Sequence, residues 1–241
     1  MKKILILLIA ALGTGASLFA SDKVVLAEID TTLVCGDIPN SYESLKISSV
    51  YKVVYGAATS DIKIVVDRNI APYVEVEMSG SELKIGLKPV HAKNLESIEI
   101  RMPEIPSLKE VKLSGACIFD SRKVIGGDLE IDLSGASKFA SKVDLEKLDI
   151  EMKGASSVTL KGSARKAEID CSGSSCVQAE DEFKVEDLEL DLNGSSSVKD
   201  FTCEKLRGEM SGASSVYLKG PVLVGEFSGT GASKFIVSNK K

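Results

Sequence analysis

The chain has 241 residues, of which 35 are acidic and 30 are basic, so its formal net charge is −5 at pH 7. This balance argues against nucleic acid, whose phosphates select basic partners, and against simple adsorption to an anionic membrane surface. Only 5% of the residues are aromatic and none is tryptophan. That composition weighs against a glycan-binding surface, because aromatic rings normally supply the stacking area.

Residues 1–20 have the three parts of a secretory signal peptide. Lys2 and Lys3 form the basic start, residues 4–12 are an unbroken apolar run, and small residues lead to a cleavage point after Ala20. The run is short for a membrane span, which needs about 20 residues, so we expect no span in the mature chain. An uncleaved anchor is the alternative. Cleavage would leave 28 basic and 35 acidic residues and a net charge of about −7.

Residues 21–106 alternate between apolar and polar positions in six short segments, at 45–47, 53–55, 62–66, 74–78, 83–87 and 98–102. Glycine, proline and asparagine separate them, which is typical of strands joined by turns. We expect an irregular β cap, or less regular early turns, continuous with the repeats that follow. A separate sandwich domain is the alternative. Pro103 and Pro106 mark the boundary between this segment and the repeats.

A glycine recurs every 18 to 21 residues through residues 107–241. Its context recurs with it, as in IDLSGAS, IEMKGAS and LDLNGSS. The seven positions are Gly115, Gly135, Gly154, Gly173, Gly194, Gly212 and Gly231. Self-similarity at a fixed period of about 20 residues is typical of a solenoid, whereas the blade of a propeller needs about 40 residues.

The residues six, four and two positions before each of the middle glycines are mainly apolar, and those between them are polar, as in LEIDLSG. This alternation predicts a strand with one buried face, and the glycine supplies the positive φ of a tight corner. An apolar residue four positions after the glycine predicts a second inward strand, and the rest of each repeat should be irregular. We therefore predict an all-β fold, a parallel β-solenoid (β-helix) with right-handed coiling as the default. Leu133, Met152, Cys171 and Leu192 should be vertical neighbours in one hydrophobic column.

Acidic residues occupy the outward positions of these strands and should form two columns. One column holds Glu130, Asp149, Glu168, Glu189 and Glu226, with Arg207 as an interruption, and the other holds Asp132, Glu151, Asp170, Asp191 and Glu209. We expect a solvated face whose negative charge is partly neutralised by Lys147, Lys166 and Lys205. Weak calcium binding by the carboxylates is the alternative hypothesis, although the nonapeptide pattern of calcium-binding β-rolls is absent from the sequence.

Hydroxyl and amide side chains flank most of the repeat glycines, directly before them and two positions after them. Serine and asparagine at such sites satisfy backbone groups of turns, so we expect a structural role. The alternative is a flat polar strip that contacts a glycan or a protein.

The five cysteines, Cys35, Cys117, Cys171, Cys176 and Cys203, are an odd number, so at least one is unpaired. Cys171 should fill the core between Met152 and Leu192. Cys176 and Cys203 lie in adjacent repeats, where a disulfide is conceivable, but we favour five small buried or half-buried thiols. Their spacing does not resemble a zinc site.

The sequence does not predict a catalytic, cofactor-binding or metal-binding residue, and it implies no cofactor. The one histidine, His91, should be a surface residue of the cap, and the glycines are corners rather than phosphate-binding loops. We therefore predict a protein that is not an enzyme. A carbohydrate-active enzyme is the less favoured alternative, because carboxylates are abundant. Arg122, Arg165 and Arg207 are the irregular basic residues that would mark its cleft.

The recurring L-S-G-A-S-x-[FV] motif resembles the head GIN domain family, which comprises secreted proteins of Gram-negative bacteria that are labelled putative autotransporter adhesins. The matching segments are SLKISSVYKVVYGAATSDIKIVVD, DLEIDLSGASKFAS, KLDIEMKGASSVTL and DLELDLNGSSSVKD. The resemblance implies an extracytoplasmic β-helix in the periplasm or at the cell surface. It suggests adhesion to a protein or glycan that the sequence does not identify, and it gives no functional residues to carry over.

These observations predict a secreted, non-enzymatic envelope protein that acts as an adhesin-like binding module. The alternative is a structural or scaffolding protein of the envelope that associates with itself through a face or an end of the solenoid.

Overall fold

The computed structural model describes residues 4–5, 9–10, 30–36, 38–90 and 98–238. Most of the predicted signal peptide and His91 lie outside the described residues. In the part that is described, the chain forms strands and one 3-10 helix, Ala71–Tyr73. The strands are β1 Ile4–Leu5, β2 Ile9–Ala10, β3 Asp30–Cys35, β4 Ser44–Ser49, β5 Tyr51–Tyr55, β6 Ile62–Asp67, β7 Val74–Ser79, β8 Glu82–Leu87, β9 Ile98–Met102, β10 Glu110–Gly115, β11 Ile118–Leu133, β12 Lys138–Met152, β13 Ser157–Cys171, β14 Cys176–Leu192, β15 Ser197–Met210, β16 Ser215–Lys219, β17 Leu223–Gly229 and β18 Lys234–Ser238.

The repeats coil into a parallel β-solenoid of about seven turns, as the glycine period predicts. Each of the strands β11 to β14 pairs in parallel with the next one along the chain. The register places Leu133, Met152, Cys171 and Leu192 above one another, and all four are buried. The predicted hydrophobic column is therefore confirmed. We call one coil of the solenoid a rung.

The repeat glycines form one column of corners. Gly135 has φ +77°, and a Cβ placed on it would lie 2.5 Å from the carbonyl oxygen of Gly115 in the preceding rung. The amide of Ala136 donates to that same oxygen at 2.7 Å. Backbone conformation and close stacking thus both require a residue without a side chain, which explains why glycine recurs there.

The chain continues inward after each corner. Phe119 and Phe139 are buried, and their rings stack with centroids 4.9 Å apart. The part of the repeat that was predicted to be irregular is also strand, with Val143 and Leu145 buried in β12. Its variable length is absorbed by register shifts between paired strands, such as the one after Leu160 in the β13–β14 pair. That prediction was wrong because local β-bulges keep the ladder continuous.

The N-terminal segment supplies early rungs in an order that differs from the chain order. β4 and β5 pair in parallel with β10 and β11, and β8 and β9 pair in parallel with β4 and β5 on their other side. Ser49 stands in the corner column beneath Gly115 and has φ +104°. A serine thus adopts the backbone conformation that glycine provides in the repeats.

Antiparallel strands close the N-terminal end of the stack. On one side, β7 pairs antiparallel with β8. On another side, β6 pairs antiparallel with β9, and β3 pairs antiparallel with β6. The outer strands β7 and β3 in turn pair with the short strands β1 and β2. The parallel ladder therefore ends in strands of the opposite direction.

All five cysteines are free thiols, and four of them are buried while Cys176 is half-buried. Cys176 pairs in register with Ser197, whereas Cys203 pairs with Val185 on a different side of the coil. Their separate positions explain why the conceivable disulfide does not form. Burial raises the pKa of Cys171 to about 12, so this thiol stays protonated and acts as a core residue, as expected.

Candidate binding surface

The outward carboxylates form a continuous surface that we call the acidic strip. Its two columns are Glu130, Asp149, Glu168 and Glu189, and Asp132, Glu151, Asp170, Asp191 and Glu209. Each residue is paired in register with its column neighbour, so the strands that carry these like charges are about 4.8 Å apart along the stack. Arg207 follows Glu189 in the first column, as predicted. The prediction that Glu226 continues this column was wrong, because a register shift between β15 and β17 leaves Glu226 without a register partner there.

Of the three lysines that were expected to neutralise part of this surface, only one is bound to a carboxylate of the acidic strip. Lys147 binds Asp149 with a Nζ to Oδ2 distance of 2.7 Å, so this expectation is confirmed. Lys205 instead binds Asp187 at 3.3 Å, outside the acidic strip. Lys166 is exposed and lies in register between Lys147 and Asp187.

Two other cations neutralise part of the acidic strip, and neither ion pair was predicted from the sequence. Lys153 contacts Glu151, which lies two residues earlier on the same strand face. Arg207 donates through Nε to Glu189 at 2.7 Å in the adjacent rung. Lys153 and Glu151 are two residues apart and so share one face of the strand, whereas Arg207 and Glu189 are in register in adjacent rungs. Both ion pairs could therefore have been predicted from the spacing of these residues in the sequence.

The middle of the acidic strip keeps uncompensated negative charge. Burial raises the pKa of Asp170, and the carboxylates of Asp191 and Glu168 raise it further. These acids line a shallow groove of about 690 Å³ that also contains Gly208 and Phe227. The groove therefore offers an acidic wall beside a small apolar patch.

Three carboxylates at the start of the strip come close enough to hold a cation. One oxygen each of Glu110, Glu130 and Asp132 lies within 4.8 Å of the others. However, the ammonium of Lys112 contacts Glu110 and lies 3.7 Å from Asp132, so positive charge is already present. Burial opposes the ionisation of Glu110, but hydrogen bonds from Lys112 and Ser44 outweigh it and lower the pKa of Glu110. Burial and the neighbouring carboxylates raise the pKa of Glu130.

The serines two positions after the corner glycines have the structural role that was expected. Ser137, Ser156, Ser175, Ser196 and Ser214 are buried. Each hydroxyl donates to the carbonyl oxygen three residues earlier, for example from Ser214 to Ser211 at 2.7 Å. This internal ladder leaves these hydroxyls inaccessible to a ligand.

The irregular arginines do not assemble a common cleft. Arg207 is neutralised by Glu189 in the acidic strip, whereas Arg165 of β13 donates to Glu146 of β12 at 2.8 Å. Arg122 is exposed in β11. Each of the two paired arginines is thus occupied by a carboxylate of its own.

The described residues contain no helix that is both long enough and apolar enough to cross a membrane. A search of curated proteins finds no match to the chain. Among solved structures, a putative adhesin from Bacteroides fragilis is 16% identical with a TM-score of 0.71, and the match covers 88% of this chain and 98% of that one. A putative adhesin from Parabacteroides distasonis is 20% identical with a TM-score of 0.64, covering 86% and 97%. A putative lipid binding protein from the same species is 16% identical with a TM-score of 0.56, covering 86% and 96%.

These likenesses show a shared fold. The family described as putative auto-transporter adhesin, head GIN domain, matches residues 41–221, which include the early rungs and most of the repeats. The match spans well over half of the sequence. The chain therefore belongs to the head GIN domain family.

Proposed function

We propose that the chain is a non-enzymatic, adhesin-like binding module that works outside the cytoplasm, in the periplasm or at the cell surface of a Gram-negative bacterium. Its family and the names of two structural relatives support an adhesive role. The signal-like residues 1–20 support export. The repeated serines serve the corners, and Arg165 and Arg207 are each bound to a carboxylate instead of marking a common cleft.

The ligand that fits this module best is a basic segment of a protein. The observation that carries the proposal is the uninterrupted column Asp132, Glu151, Asp170, Asp191 and Glu209, held in register on one face of a rigid stack. A surface of one sign of charge attracts partners of the opposite sign and raises their association rate. The contribution is electrostatic and exposed, so binding should weaken as salt rises.

A binding assay with the intact chain tests this proposal. The probe is a panel of immobilised extracellular-matrix proteins and glycans, with polylysine as a reference for purely electrostatic capture. The strip variant combines Glu151→Gln, Asp170→Asn and Asp191→Asn, and the control combines Asp120→Asn, Asp144→Asn and Glu204→Gln, which remove three charges elsewhere. We expect the strip variant to bind a basic matrix protein at least about tenfold more weakly than the control. Equal binding by both variants, or no binding to any probe, would overturn the proposal.

Calcium binding is the competing role for the acidic strip. Oxygen ligands suit this ion, and Glu110, Glu130 and Asp132 are the residues that would hold it. Because Lys112 lies among these carboxylates, we expect calorimetric titration with calcium to give no heat and the melting temperature to stay unchanged. Heat that disappears in a Glu130→Gln variant would favour the ion instead.

A further inference from the structure

In the part of the chain that the structure describes, the last rung of the solenoid has an uncovered strand edge. This rung consists of β17 and β18, which flank the corner at Gly231 and pair with β15 and β16 on one side only. No other described strand pairs with their outer edges. Val224 is 43% exposed, whereas Leu206, its register partner in the rung before, is 1% exposed. This end therefore presents both apolar side chains and a free strand edge.

Backbone hydrogen bonds show which groups face the free edge. The amide of Lys234 donates to Ser214 at 2.9 Å and that of Thr230 to Met210 at 2.9 Å, both toward the preceding rung. Amide and carbonyl groups alternate in direction along a strand. The backbone groups of Phe235 and Phe227 consequently face outward from the end of the stack.

We propose that two copies of the chain associate end to end through this last rung, about a two-fold axis that passes through the Gly231 corner. β17 runs toward the corner and β18 runs away from it. Rotation about an axis that bisects the corner therefore lays β17 of each copy antiparallel to β18 of the other. The same contact forms twice, as a closed two-fold interface requires.

The register of this pairing places a phenylalanine of one copy opposite a phenylalanine of the other. Phe227 is four residues before Gly231 and Phe235 is four after it, so the rotation places Phe227 opposite Phe235 of the second copy. Both residues have outward-facing backbone groups, which is the condition for a hydrogen-bonded antiparallel pair. Both rings pack against the core, with centroids 5.1 Å apart within one copy. The dimer would thus continue the hydrophobic core from one solenoid into the next.

Charge favours the same register. Exposed Glu226 lies one residue before Phe227, and exposed Lys234 lies one residue before Phe235. In the antiparallel pair these two residues are diagonal neighbours across the interface, a separation that long side chains bridge. Each dimer contains two such pairs of opposite charge.

The N-terminal end does not offer a matching surface for a head-to-tail contact. Its outer strands β7 and β3 run antiparallel to the strands β8 and β6 that they cover, so this edge differs from that of the last rung. In the two-fold contact each copy uses its C-terminal end, so the association closes at two copies instead of growing into a filament. It does not require the ligand of the acidic strip, although Glu226 and Phe227 also border the groove beside that strip.

Sedimentation velocity of the intact chain over a range of concentrations tests the proposal. We expect a monomer–dimer equilibrium, weakened about tenfold by either Glu226→Lys or Lys234→Glu, each of which creates two like-charge contacts. The double variant restores opposite charges and should recover the dimer. Glu168→Lys and Lys138→Glu are matched controls, since they stand five before and three after corners inside the stack.

The outcomes separate the proposal from a general charge effect. Circular dichroism and melting temperature confirm that every variant is folded. A dimer that the end variants weaken, the double variant restores and the controls leave intact supports the proposal. A chain that stays monomeric at all concentrations, a dimer that the end variants leave intact, or one that the controls weaken equally would overturn it.

Discussion

The two ends of the stack differ in how the parallel ladder stops. At the N-terminal end, early rungs of non-repeating sequence lead to strands that run antiparallel to their neighbours, with β7 against β8, β6 against β9 and β3 against β6. At the C-terminal end, the last rung keeps the repeat geometry, with Gly231 at φ +74°, but its apolar residues are only partly covered. The repeat therefore builds a stack that can always accept another strand, and a change of strand direction is what ends it.

The difference also concerns how each corner is made. The repeats place glycine where rungs touch, whereas Ser49 takes the same position in an early rung with φ +104°. A residue with a Cβ is tolerated there because it stands at the edge of the corner column, with Gly115 above it. Inside the column a corner lies on each side of every glycine, so there is no room for a Cβ.

Removing a ring from the interior should have the largest effect on stability. Phe139→Ala removes a buried ring that stacks on Phe119 and should cost about 4 kcal/mol in the free energy of unfolding. Phe235→Ala, the equivalent change in the open rung, should cost about 1 kcal/mol because its ring is already partly exposed. Urea unfolding at low protein concentration measures both. Equal losses would mean that the last rung is packed as well as the interior.

A methyl group at a corner should have the next largest effect. In Gly173→Ala the new Cβ would lie 2.6 Å from the carbonyl oxygen of Gly154, at φ +83°, and we expect a loss of about 3 kcal/mol. Gly80→Ala in the cap is the matched control. Its φ is also positive, at +66°, but no atom lies within 4 Å of the added Cβ, so only the backbone penalty of about 1 kcal/mol applies. A corner variant as stable as the control would contradict close stacking of the rungs.

Removing a charge from the acidic strip should have the smallest effect, with a defined pH dependence. The pKa of Asp170 is raised in the folded state by burial and by the carboxylates of Asp191 and Glu168. The folded protein thus holds this proton more tightly than the unfolded chain, and ionisation lowers stability as pH rises above the ordinary carboxyl range. Asp170→Asn should therefore stabilise the protein at pH 7 by about 0.5 kcal/mol and leave it unchanged near about pH 3.

Asp181→Asn is the control of opposite sign. Its hydrogen bond from Lys161 lowers the pKa of Asp181, so the ionised group favours the folded state. This variant should lose a little stability at neutral pH and none in acid. Urea unfolding at both pH values measures the two variants. A destabilised Asp170→Asn at pH 7 would mean that the strip is not under like-charge repulsion.

The repeating half could be predicted because one physical requirement recurs in it. A glycine corner and alternating side chains fix both the strand and its neighbour, so Leu133, Met152, Cys171 and Leu192 could be placed in one column. The acidic columns follow from the same register. The pair of Lys153 with Glu151 was missed because it joins neighbours along one strand, which the comparison of equivalent positions does not reveal. Arg207 was placed next to Glu189 in the first column, and only its ion pair with that residue was missed.

The early rungs could not be placed from the sequence. Their strands were visible as local alternation, but β8 and β9 lie beneath β4 and β5 although they follow them in the chain. Pairing between distant segments leaves no period in the sequence. The corner at Ser49 was not recognised in the sequence either, because a serine does not indicate a positive φ in the way that a glycine does.

Amide hydrogen exchange at individual residues tests most directly whether one end is closed and the other open. At low protein concentration, we expect the amides of Ile64 and Ile100 at the capped end to be protected and that of Phe235 to exchange rapidly. Raising the concentration should protect Phe235 and leave the capped end unchanged. Strong protection of Phe235 at the lowest concentration, equal to that of Ile64, would contradict an open C-terminal end.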